Sequence, residues 1–274
     1  MQQQLSPAAL AFDAVAERFD ARYGEWKSVS AQRRAVRSKL ARMFPRCSRL
    51  LEVGGGTGED ALRLTDQGRE VLLTDVSPSM VRIAADKLLR AGAPQPLVYG
   101  AEQLDLLADR RAVGGAPPFD GAFSNFAGLN CVTDLRPVAH GLARLVRPGG
   151  QLALVIFGKL AVGEWVVQLS KRSAKNAFRR FDRGDVHARL GGQDFTVRYH
   201  RASDVRQAFA PWFEPVSRTG IGVFVPPSAA EPAISRYPRI VDTLERLDRL
   251  VARPFAALGD HVLYQLERTA APVE

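Results

Sequence analysis

Residues 50–60 read Leu-Leu-Glu-Val-Gly-Gly-Gly-Thr-Gly-Glu-Asp (LLEVGGGTGED), and this stretch is the strongest indication of the fold in the sequence. The apolar run predicts a short buried strand, and the glycines predict a tight turn directly after it. Gly54, Gly56 and Gly58 let the backbone approach a ligand closely, because glycine has no Cβ and adopts positive φ at little cost. A turn of this kind after a strand is typical of proteins that bind a nucleoside cofactor.

Acidic residues around this turn restrict the kind of cofactor. Glu59 stands where a dinucleotide-binding turn would carry its third glycine, and Asp60 follows it. Two carboxylates there suit the positive end of a helix but would repel a bound diphosphate. Glu52 adds a third negative charge at the end of the strand. The turn therefore favours a ligand that carries positive charge and no phosphate.

The spacing E-x-G-x-G-x-G from Glu52 to Gly58 resembles motif I of the class I S-adenosylmethionine-dependent methyltransferases. S-adenosylmethionine carries a sulfonium and an ammonium group, so it fits the charge of the turn. The resemblance implies this cofactor, with S-adenosylhomocysteine as its product. It also implies an α/β, Rossmann-like fold, in which a seven-stranded, mostly parallel sheet has an antiparallel last strand and helices on both faces.

Strand-like and helix-like patterns alternate after this turn, as a parallel sheet with crossover helices requires. The predicted strands cover residues 49–53, 70–74, 97–100, 119–124 and 151–157. The predicted helices cover residues 60–67, 78–90, 103–110 and 134–145. The alternation therefore predicts the first five strands of the sheet.

The alternation is interrupted after Phe157. The later patterns predict a basic helix over 163–181, a hairpin turning at 191–193, a helix over 203–209, a strand over 216–225, helical residues 229–257 and a last strand over 261–268. We divide the chain into a helical N-terminal lid, residues 1–47, and a methyltransferase domain, residues 48–274, with a cap insertion at about residues 160–201. This tail matches the end of the methyltransferase fold.

The second strand supplies the expected ribose contact. Asp75 follows Gly54 by 21 residues, which matches the acidic residue that hydrogen-bonds ribose hydroxyls in nucleoside-binding folds. Ser77, followed by Pro78, is the better helix cap and leaves Asp75 free. Val76 and Met80 then stand where apolar side chains would flank the adenine.

Two further segments are assigned to the cofactor, the first because of the resemblance and the second because of its position in the sheet. Glu102, after Ala101, would lie near the adenine amino group, although a first-turn glutamate also favours a helix. Ser124, Asn125 and Phe126 end the fourth strand, beside the crevice where open α/β sheets bind ligands. Asn125 has an alternative role, in which its amide satisfies backbone groups of the loop.

The N-terminal helix carries an apolar stripe, Phe12, Val15, Phe19 and Tyr23, which is typical of simple packing. The resemblance implies that it also folds over the methionine end of the cofactor, with Tyr23 and Arg33 as candidates. The predicted cofactor-binding residues are Tyr23, Arg33, Glu52, Gly54, Gly56, Thr57, Gly58, Asp75, Val76, Met80, Ala101, Glu102, Ser124, Asn125 and Phe126.

Methyl transfer from a sulfonium needs alignment of the nucleophile more than it needs proton transfer. No catalytic residue is therefore assigned, and the four histidines of the chain, His140, His187, His200 and His261, are interpreted as structural. No metal site is predicted, because two cysteines, Cys47 and Cys131, do not form a ligand cluster.

A small-molecule acceptor, methylated on N, O or C, is the favoured substrate. The fourth strand lacks the D/N-P-P-Y/F motif of amino-directed nucleic-acid enzymes, and Cys131 lacks the preceding proline of five-methylcytosine enzymes. The net charge of +9 is ascribed to scattered arginines rather than to nucleic-acid binding. One basic cluster, Lys171, Arg172, Lys175, Arg179, Arg180 and Arg183, suggests an anionic substrate, although a solvated face is the commoner explanation.

Other functions stay open at this point. They are a non-methyl displacement on S-adenosylmethionine such as cyclisation, modification of RNA, and cofactor binding without turnover. The N-terminus lacks a basic region before its apolar residues, and no long apolar run is present, so we expect a cytoplasmic protein without a membrane partner. The association of similar proteins with specialised metabolism suggests that setting, whereas the sequence leaves the oligomeric state undefined.

Overall fold

The strand before the glycine turn lies in the middle of a parallel sheet. In a computed structural model, which describes residues 5–182 and 184–273, the strands are β1 (Arg49–Val53), β2 (Glu70–Asp75), β3 (Leu97–Val98), β4 (Phe119–Ser124), β5 (Val146–Phe157), β6 (Asp185–Leu190), β7 (Gln193–Arg198), β8 (Phe213–Ile221) and β9 (His261–Arg268). Seven of these form one sheet in the order β3-β2-β1-β4-β5-β9-β8. Strands β3, β2, β1, β4 and β5 are parallel, and β9 runs antiparallel to both β5 and β8.

Helices cover both faces of this sheet. They are α1 (Pro7–Asp13), α2 (Ala16–Gly24), α3 (Lys27–Met43), α4 (Glu59–Asp66), α5 (Pro78–Arg90), α6 (Leu104–Val113), α7 (Arg136–Leu145), α8 (Val162–Ser170), α9 (Ala174–Phe178), α10 (Ala202–Phe209) and α11 (Pro238–Val251). One core packs α6, α7 and α10 on the sheet, and the other packs α3, α4 and α5 on its opposite face. Burial on both faces explains why β1 reads as a nearly continuous apolar run.

The predicted α/β fold is confirmed, including the antiparallel last strand. Strands β1 and β4 and helix α5 have the predicted boundaries, and Ser77 caps α5 by accepting a hydrogen bond from the Met80 backbone at 3.1 Å. The predicted hairpin is also present, since β6 and β7 pair on either side of Gly191 and Gly192. These elements carry strong local signals, which explains why the sequence locates them closely.

The predicted basic helix over residues 163–181 is wrong. The chain forms two helices instead, α8 and α9, with Arg172 between them in a left-handed conformation at φ +56°. A separate 3₁₀ turn, Arg179–Phe181, then directs the Arg180 side chain into the interior. The helix breaks because a continuous helix would not bring this guanidinium inward to its buried carboxylate partners, Glu164 and Asp260.

Two predictions near the C-terminus also need correction. The strand expected over 216–225 is β8, which begins at Phe213 and ends at Ile221, before Gly222 turns the chain at φ +68°. Within the region 229–257, only α11 is a regular α-helix, and the rest forms 3₁₀ turns and loops. Pro232 lies in this segment and lacks the backbone N–H that a helix interior needs.

Two aspartates hold the N-terminal helices over the carboxyl ends of the strands. Asp13, the last residue of α1, accepts hydrogen bonds from the Ser77 hydroxyl at 2.6 Å and the Ser79 backbone at 2.8 Å. Asp20, on α2, accepts one from the Thr57 hydroxyl of the glycine turn at 2.6 Å. These polar contacts set the position of α1 and α2 above the turn. None of the described helices combines the length and the apolar character needed to cross a membrane.

Candidate functional site

A cavity lies at the carboxyl ends of β1, β2 and β4, beneath the N-terminal helices. This is the position at which open α/β sheets bind ligands. Its walls are Ser6, Ala8, Phe12, Phe19, Arg33, Glu52, Val53, Gly54, Gly55, Gly56, Thr57, Glu59, Asp60, Asp75, Val76, Met80, Tyr99, Gly100, Ala101, Glu102, Asn125, Phe126, Gly128, Leu129, Cys131 and Val132. Most of the predicted cofactor-binding residues are therefore brought to one cavity.

The glycine turn forms the floor of this cavity and needs its glycines. Gly54, Gly56 and Gly58 have φ values of +67°, +55° and +81°, which residues other than glycine rarely adopt. Gly55 is required for a different reason, because a Cβ there would stand 2.6 Å from the Leu73 side chain. The chain therefore places bare backbone against the cavity, and the backbone N–H of Gly56 points to the next strand.

Asp75 ends β2 and braces the turn. Its Oδ2 accepts a hydrogen bond from the Gly56 backbone at 2.8 Å, and its Oδ1 accepts one from the Ser77 backbone at 2.9 Å. Burial raises the pKa of the Asp75 carboxyl, although these backbone N–H groups oppose the effect. A carboxylate that faces the cavity from this position has acceptor capacity left for a hydroxyl donor of a ligand.

Two buried polar atoms at one end of the cavity have no hydrogen-bond partner among the described residues. One is Nε of Arg33, on α3, and the other is Oε2 of Glu52, at the end of β1. Buried polar atoms are nearly always paired, so an unpaired donor and an unpaired acceptor together indicate a place for a ligand. The Arg33 guanidinium also lies over the Phe126 ring, 5.2 Å from its centroid. A ligand with both an anionic and a cationic group, such as an α-amino acid, fits this pair.

The acidic residues of the turn are less free than the sequence suggested. Oδ1 of Asp60 accepts a hydrogen bond from the Arg37 Nε at 2.5 Å, and its Oδ2 accepts one from the Asn125 amide at 2.7 Å. Glu59 pairs with Lys87 at 2.7 Å. The prediction that Glu52, Glu59 and Asp60 are all free to attract a positively charged ligand is therefore wrong for Glu59 and Asp60. Of these three carboxylates, Glu52 has a buried oxygen, Oε2, without a hydrogen-bond partner among the described residues.

Glu52 is buried, and its surroundings shift the pKa of its carboxyl. Burial raises the pKa of its carboxyl well above the ordinary value, and the nearby charge of Asp60 raises it further. A positively charged group in the cavity would act in the opposite direction and favour the ionised form. The site therefore couples the protonation of one carboxyl to the charge of its ligand.

Three of the predicted binding residues do not line the cavity. Tyr23 packs against Phe19 and Trp26, with ring centroids 4.7 and 5.0 Å away, so Phe19 lines the cavity one helical turn earlier. Gly58 caps α4 and faces Ala84, and Ser124 is buried at the end of β4. Asn125 lies on the wall and also performs the role considered as its alternative, since its Oδ1 accepts from the backbone of Phe126.

The cavity also contains residues that sequence reasoning did not assign to it. Phe12 and Phe19 had been seen as a packing stripe, and this stripe is what covers the cavity. Cys131 and Val132 come from a short 3₁₀ segment after β4 and carry no motif that would have revealed them. Burial raises the pKa of the Cys131 thiol to about 11, so this cysteine stays protonated at neutral pH.

The basic cluster of the insertion does not form a single cationic face. Lys171 donates to the Ala229 carbonyl at 2.5 Å, and Arg179 pairs with the buried Glu164 at 2.5 Å. Arg180 is buried between Glu164 and Asp260. Lys171 and Lys175 lie on either side of the helix break, and Arg183 lies outside the described residues. The residues of the predicted basic cluster are therefore divided among separate contacts.

The histidines have defined packing roles. Nε2 of the buried His200 donates to the Val132 carbonyl at 3.0 Å, and His187 pairs with Asp194 on the exposed hairpin. His140 hydrogen-bonds Asp105 across α6 and α7. The His261 ring stacks on Phe157 and meets the edge of the cavity residue Phe126, with centroids 4.9 and 5.6 Å away. These contacts give no reason to assign a general base.

Known proteins resemble this chain in both sequence and fold. Residues 51–152 match the model of a methyltransferase domain. A tRNA 5-carboxymethoxyuridine methyltransferase of Escherichia coli (strain K12) is 30% identical over 150 residues, which are 53% of this chain and 56% of that protein. A ubiquinone/menaquinone biosynthesis C-methyltransferase of Pectobacterium carotovorum is 29% identical over 117 residues, 42% of this chain and 44% of that protein. The chain thus spans about half the length of these curated relatives.

The likeness of fold extends over more of the chain. The CcbJ methyltransferase from Streptomyces caelestis superposes with a TM-score of 0.54 at 15% identity, over 87% of this chain and 95% of that one. The match to the methyltransferase-domain model begins within β1 and ends within β5, so it includes the glycine turn and Asp75. Residues 51–152 therefore resemble a methyltransferase domain, and the seven-stranded sheet resembles the fold of solved methyltransferases.

Proposed function

We propose that the protein methylates a small molecule, which it encloses between the glycine turn and the N-terminal helices. The observation that carries this proposal is the unpaired pair of buried polar atoms, Arg33 Nε and Glu52 Oε2, inside a covered cavity. The amino-acid end of S-adenosylmethionine offers a carboxylate to the first and an ammonium to the second. Neither atom makes a hydrogen bond among the described residues, although Arg33 Nε lies 3.9 Å from Asp60 Oδ1, and S-adenosylmethionine would supply a hydrogen-bond partner for each.

The rest of the cavity fits the nucleoside part of the same cofactor. Asp75 would accept hydrogen bonds from the ribose hydroxyls, and Val76 and Met80 would pack against the adenine. Glu102 lies on the wall near Ala101 and Gly100, at the end where the adenine amino group would stand. The cofactor supplies an electrophilic methyl group on a positively charged sulfur. The protein's task is to hold the acceptor in line with that methyl group.

Aromatic side chains complete the covered end. Phe12, on α1, contacts Phe19 of α2 and Phe195 of the β6–β7 hairpin, with ring centroids 6.4 and 6.0 Å away. These rings, with Phe126, exclude water from the methionine end of the site. We therefore retain residues 1–47 as a lid and residues 160–201 as a cap over the acceptor. A cover built from short helices and a hairpin suits a small acceptor better than a folded nucleic acid.

The proposal is tested with purified protein and isotope-labelled S-adenosylmethionine. Calorimetry should give one site per chain for S-adenosylhomocysteine. Low-molecular-weight extract should then yield S-adenosylhomocysteine together with a labelled small molecule. Methylthioadenosine as the product would replace methyl transfer by another displacement. Label that enters RNA instead would replace the acceptor class, in line with the relative that acts on tRNA.

Glu52 makes cofactor binding depend on pH. Because burial and Asp60 raise its pKa, the folded protein holds a proton on this carboxyl that the unfolded chain has already released. Stability of the free protein should therefore fall as pH rises through the interval between the ordinary and the raised pKa. Affinity for S-adenosylhomocysteine should rise in the same interval, since the ammonium favours ionised Glu52. Calorimetry between about pH 5 and pH 8 measures this slope.

The control for this prediction is Glu52→Gln, which has nearly the same shape and does not titrate. It should bind more weakly and lose most of the slope. A wild-type affinity that stays flat over the whole interval, or a slope that persists in the variant, would contradict the role of Glu52.

A further inference from the structure

A second concave region lies away from the cofactor cavity, between α3, α11 and β8. It is a groove of about 710 Å³, and among the described residues it shares no wall with the cofactor cavity. Its charged side chains are Arg34, Lys39, Arg42, Arg249 and Arg253, with Glu245 and Asp248 as the only acids. We call this region the basic groove. Its size is in the range of sites that bind small organic molecules.

The two acidic residues of the basic groove are already occupied. Glu245 accepts hydrogen bonds from Arg34, the shorter of them at 2.6 Å, and lies 3.5 Å from Arg249. Asp248 is buried and accepts from the backbone N–H groups of Phe224 and Val225, at 2.6 and 3.4 Å. Neither carboxylate makes a hydrogen bond or an ion pair with Lys39, Arg42 or Arg253.

Three cations of the groove, the partly buried Lys39 and the exposed Arg42 and Arg253, therefore have no ion-pair partner among the described residues. Within the described residues, Lys39, Arg42 and Arg253 make neither a hydrogen bond nor an ion pair, although all three line the same groove. Burial lowers the pKa of the Lys39 ammonium, and the positive charges of Arg253 and Arg42 lower it further. Like charges that line one groove repel one another, and a bound anion would reduce this repulsion.

The floor of the groove adds a polar atom and an apolar surface. Oγ1 of Thr219, on β8, is buried and has no hydrogen-bond partner among the described residues. Ala31, Ala35 and Ile221 supply apolar wall around it. An unpaired hydroxyl beside three unpaired cations suits an anion with several oxygens, and the apolar wall suits a carbon skeleton attached to it.

We propose that the basic groove is a second ligand site, which binds an organic phosphate with Lys39, Arg42 and Arg253 around the phosphoryl oxygens. A phosphoryl group carries up to two negative charges and three terminal oxygens, so it can engage all three cations at once. A carboxylate has one charge and two oxygens and would leave part of the positive charge unbalanced. Helix α3 contributes residues to both sites, but Arg33, which lines the cofactor cavity, does not line the groove.

The test uses uridine 5′-monophosphate as the organic phosphate and uridine as its neutral counterpart, with S-adenosylhomocysteine present to occupy the cofactor cavity. Calorimetry should detect saturable binding of the nucleotide and none of uridine. The double variant Lys39→Gln/Arg253→Gln should bind it at least about tenfold more weakly, because two charge-assisted contacts are lost. Its melting temperature should equal or exceed that of the wild type, because repulsion is removed, so a folding defect is recognised directly.

The matched control is Arg90→Gln/Arg206→Gln, which removes the same charge from two exposed arginines outside the groove. This variant should bind the nucleotide like the wild type. The proposal is overturned if both double variants lose affinity equally, because binding then follows net charge alone. It is also overturned by wild-type protein that binds no nucleotide at millimolar concentration, or that binds RNA fragments but not the nucleotide. Competition by S-adenosylhomocysteine would place the nucleotide in the cofactor cavity and equally overturn it.

Discussion

Replacement of Asp75 by alanine should weaken binding of S-adenosylhomocysteine by about 100-fold, because it removes two functions at once. The carboxylate holds the Gly56 backbone at 2.8 Å and so fixes the glycine turn. It also faces the cavity with acceptor capacity for ribose hydroxyls. Hydrogen bonds to charged groups contribute about 1.5–3 kcal/mol each, so the loss of one or two gives an effect of this size.

The two functions of Asp75 are separated with a ligand that lacks the ribose hydroxyls. If the carboxylate binds the ribose, removal of the hydroxyls weakens binding to the wild type but hardly changes binding to Asp75→Ala. If the carboxylate only braces the turn, both ligands lose affinity to the same extent in the variant. Asp86→Ala is the control, since Asp86 is an exposed carboxylate on the neighbouring helix α5 and lies outside the cavity. It should bind like the wild type.

Replacement of Arg180 by methionine should destabilise the fold by about 3–5 kcal/mol, because it removes the buried counter-ion that Glu164 and Asp260 share. The Arg180 side chain is 3% exposed and donates to the Gly158 and Asp260 carbonyls at 2.9 and 2.7 Å. It also pairs with the Asp260 carboxylate at 2.6 Å and with Glu164. Urea unfolding followed by circular dichroism measures the change in free energy of unfolding.

Lowering the pH should reduce the difference in free energy of unfolding between Arg180→Met and the wild type. Asp260 is fully enclosed, yet the charges of His261 and Arg180 outweigh burial and depress the pKa of its carboxyl. A depressed pKa gives the wild type stability that is present above the unfolded-state value and is lost as pH falls. The variant keeps only the contribution of His261 and has less of this gain to lose, so the two unfolding free energies should approach each other as the solution becomes acid.

Arg179→Met is the control for the Arg180 variant. Arg179 also pairs with Glu164, but its side chain is 39% exposed, so its removal should cost about 1 kcal/mol or less. Arg180→Lys keeps a charge but not the planar fork and should fall between the two. A loss below about 1 kcal/mol for Arg180→Met would contradict the view that this cluster joins the insertion to the sheet.

The glycine turn and the regular elements around it were open to prediction because their signals are local. Glycines at positive φ, a carboxylate at the end of the second strand, and a serine–proline helix start each act within a few residues. They led to the sheet, to the cofactor and to the position of Asp75. The insertion was predicted poorly for the opposite reason. The break at Arg172 depends on partners of Arg180 at positions 164 and 260, which are distant in sequence.

The charge of the site shows the same division. Glu52, Glu59 and Asp60 are equivalent as sequence, since each is a carboxylate beside the turn. Lys87, on α5, and Arg37, on α3, neutralise two of them only because the fold brings these helices to the turn. Phe19 rather than Tyr23 reaches the cavity because α2 begins after a break at Ala14 and Val15, which sets its rotation. Rotation and pairing of this kind are decided by packing between elements.

The α/β architecture, the glycine turn and the resemblance that points to the cofactor could be predicted from the sequence, because they follow from backbone conformation and from residue spacing. The packing of the elements was needed to show which buried carboxyl oxygen of the turn has no hydrogen bond, which aromatic rings cover the cavity, and which cations line the basic groove without an ion pair. These features depend on distances between residues far apart in the chain. Burial increases the energy of these interactions, because charges and hydrogen bonds act more strongly where water is excluded.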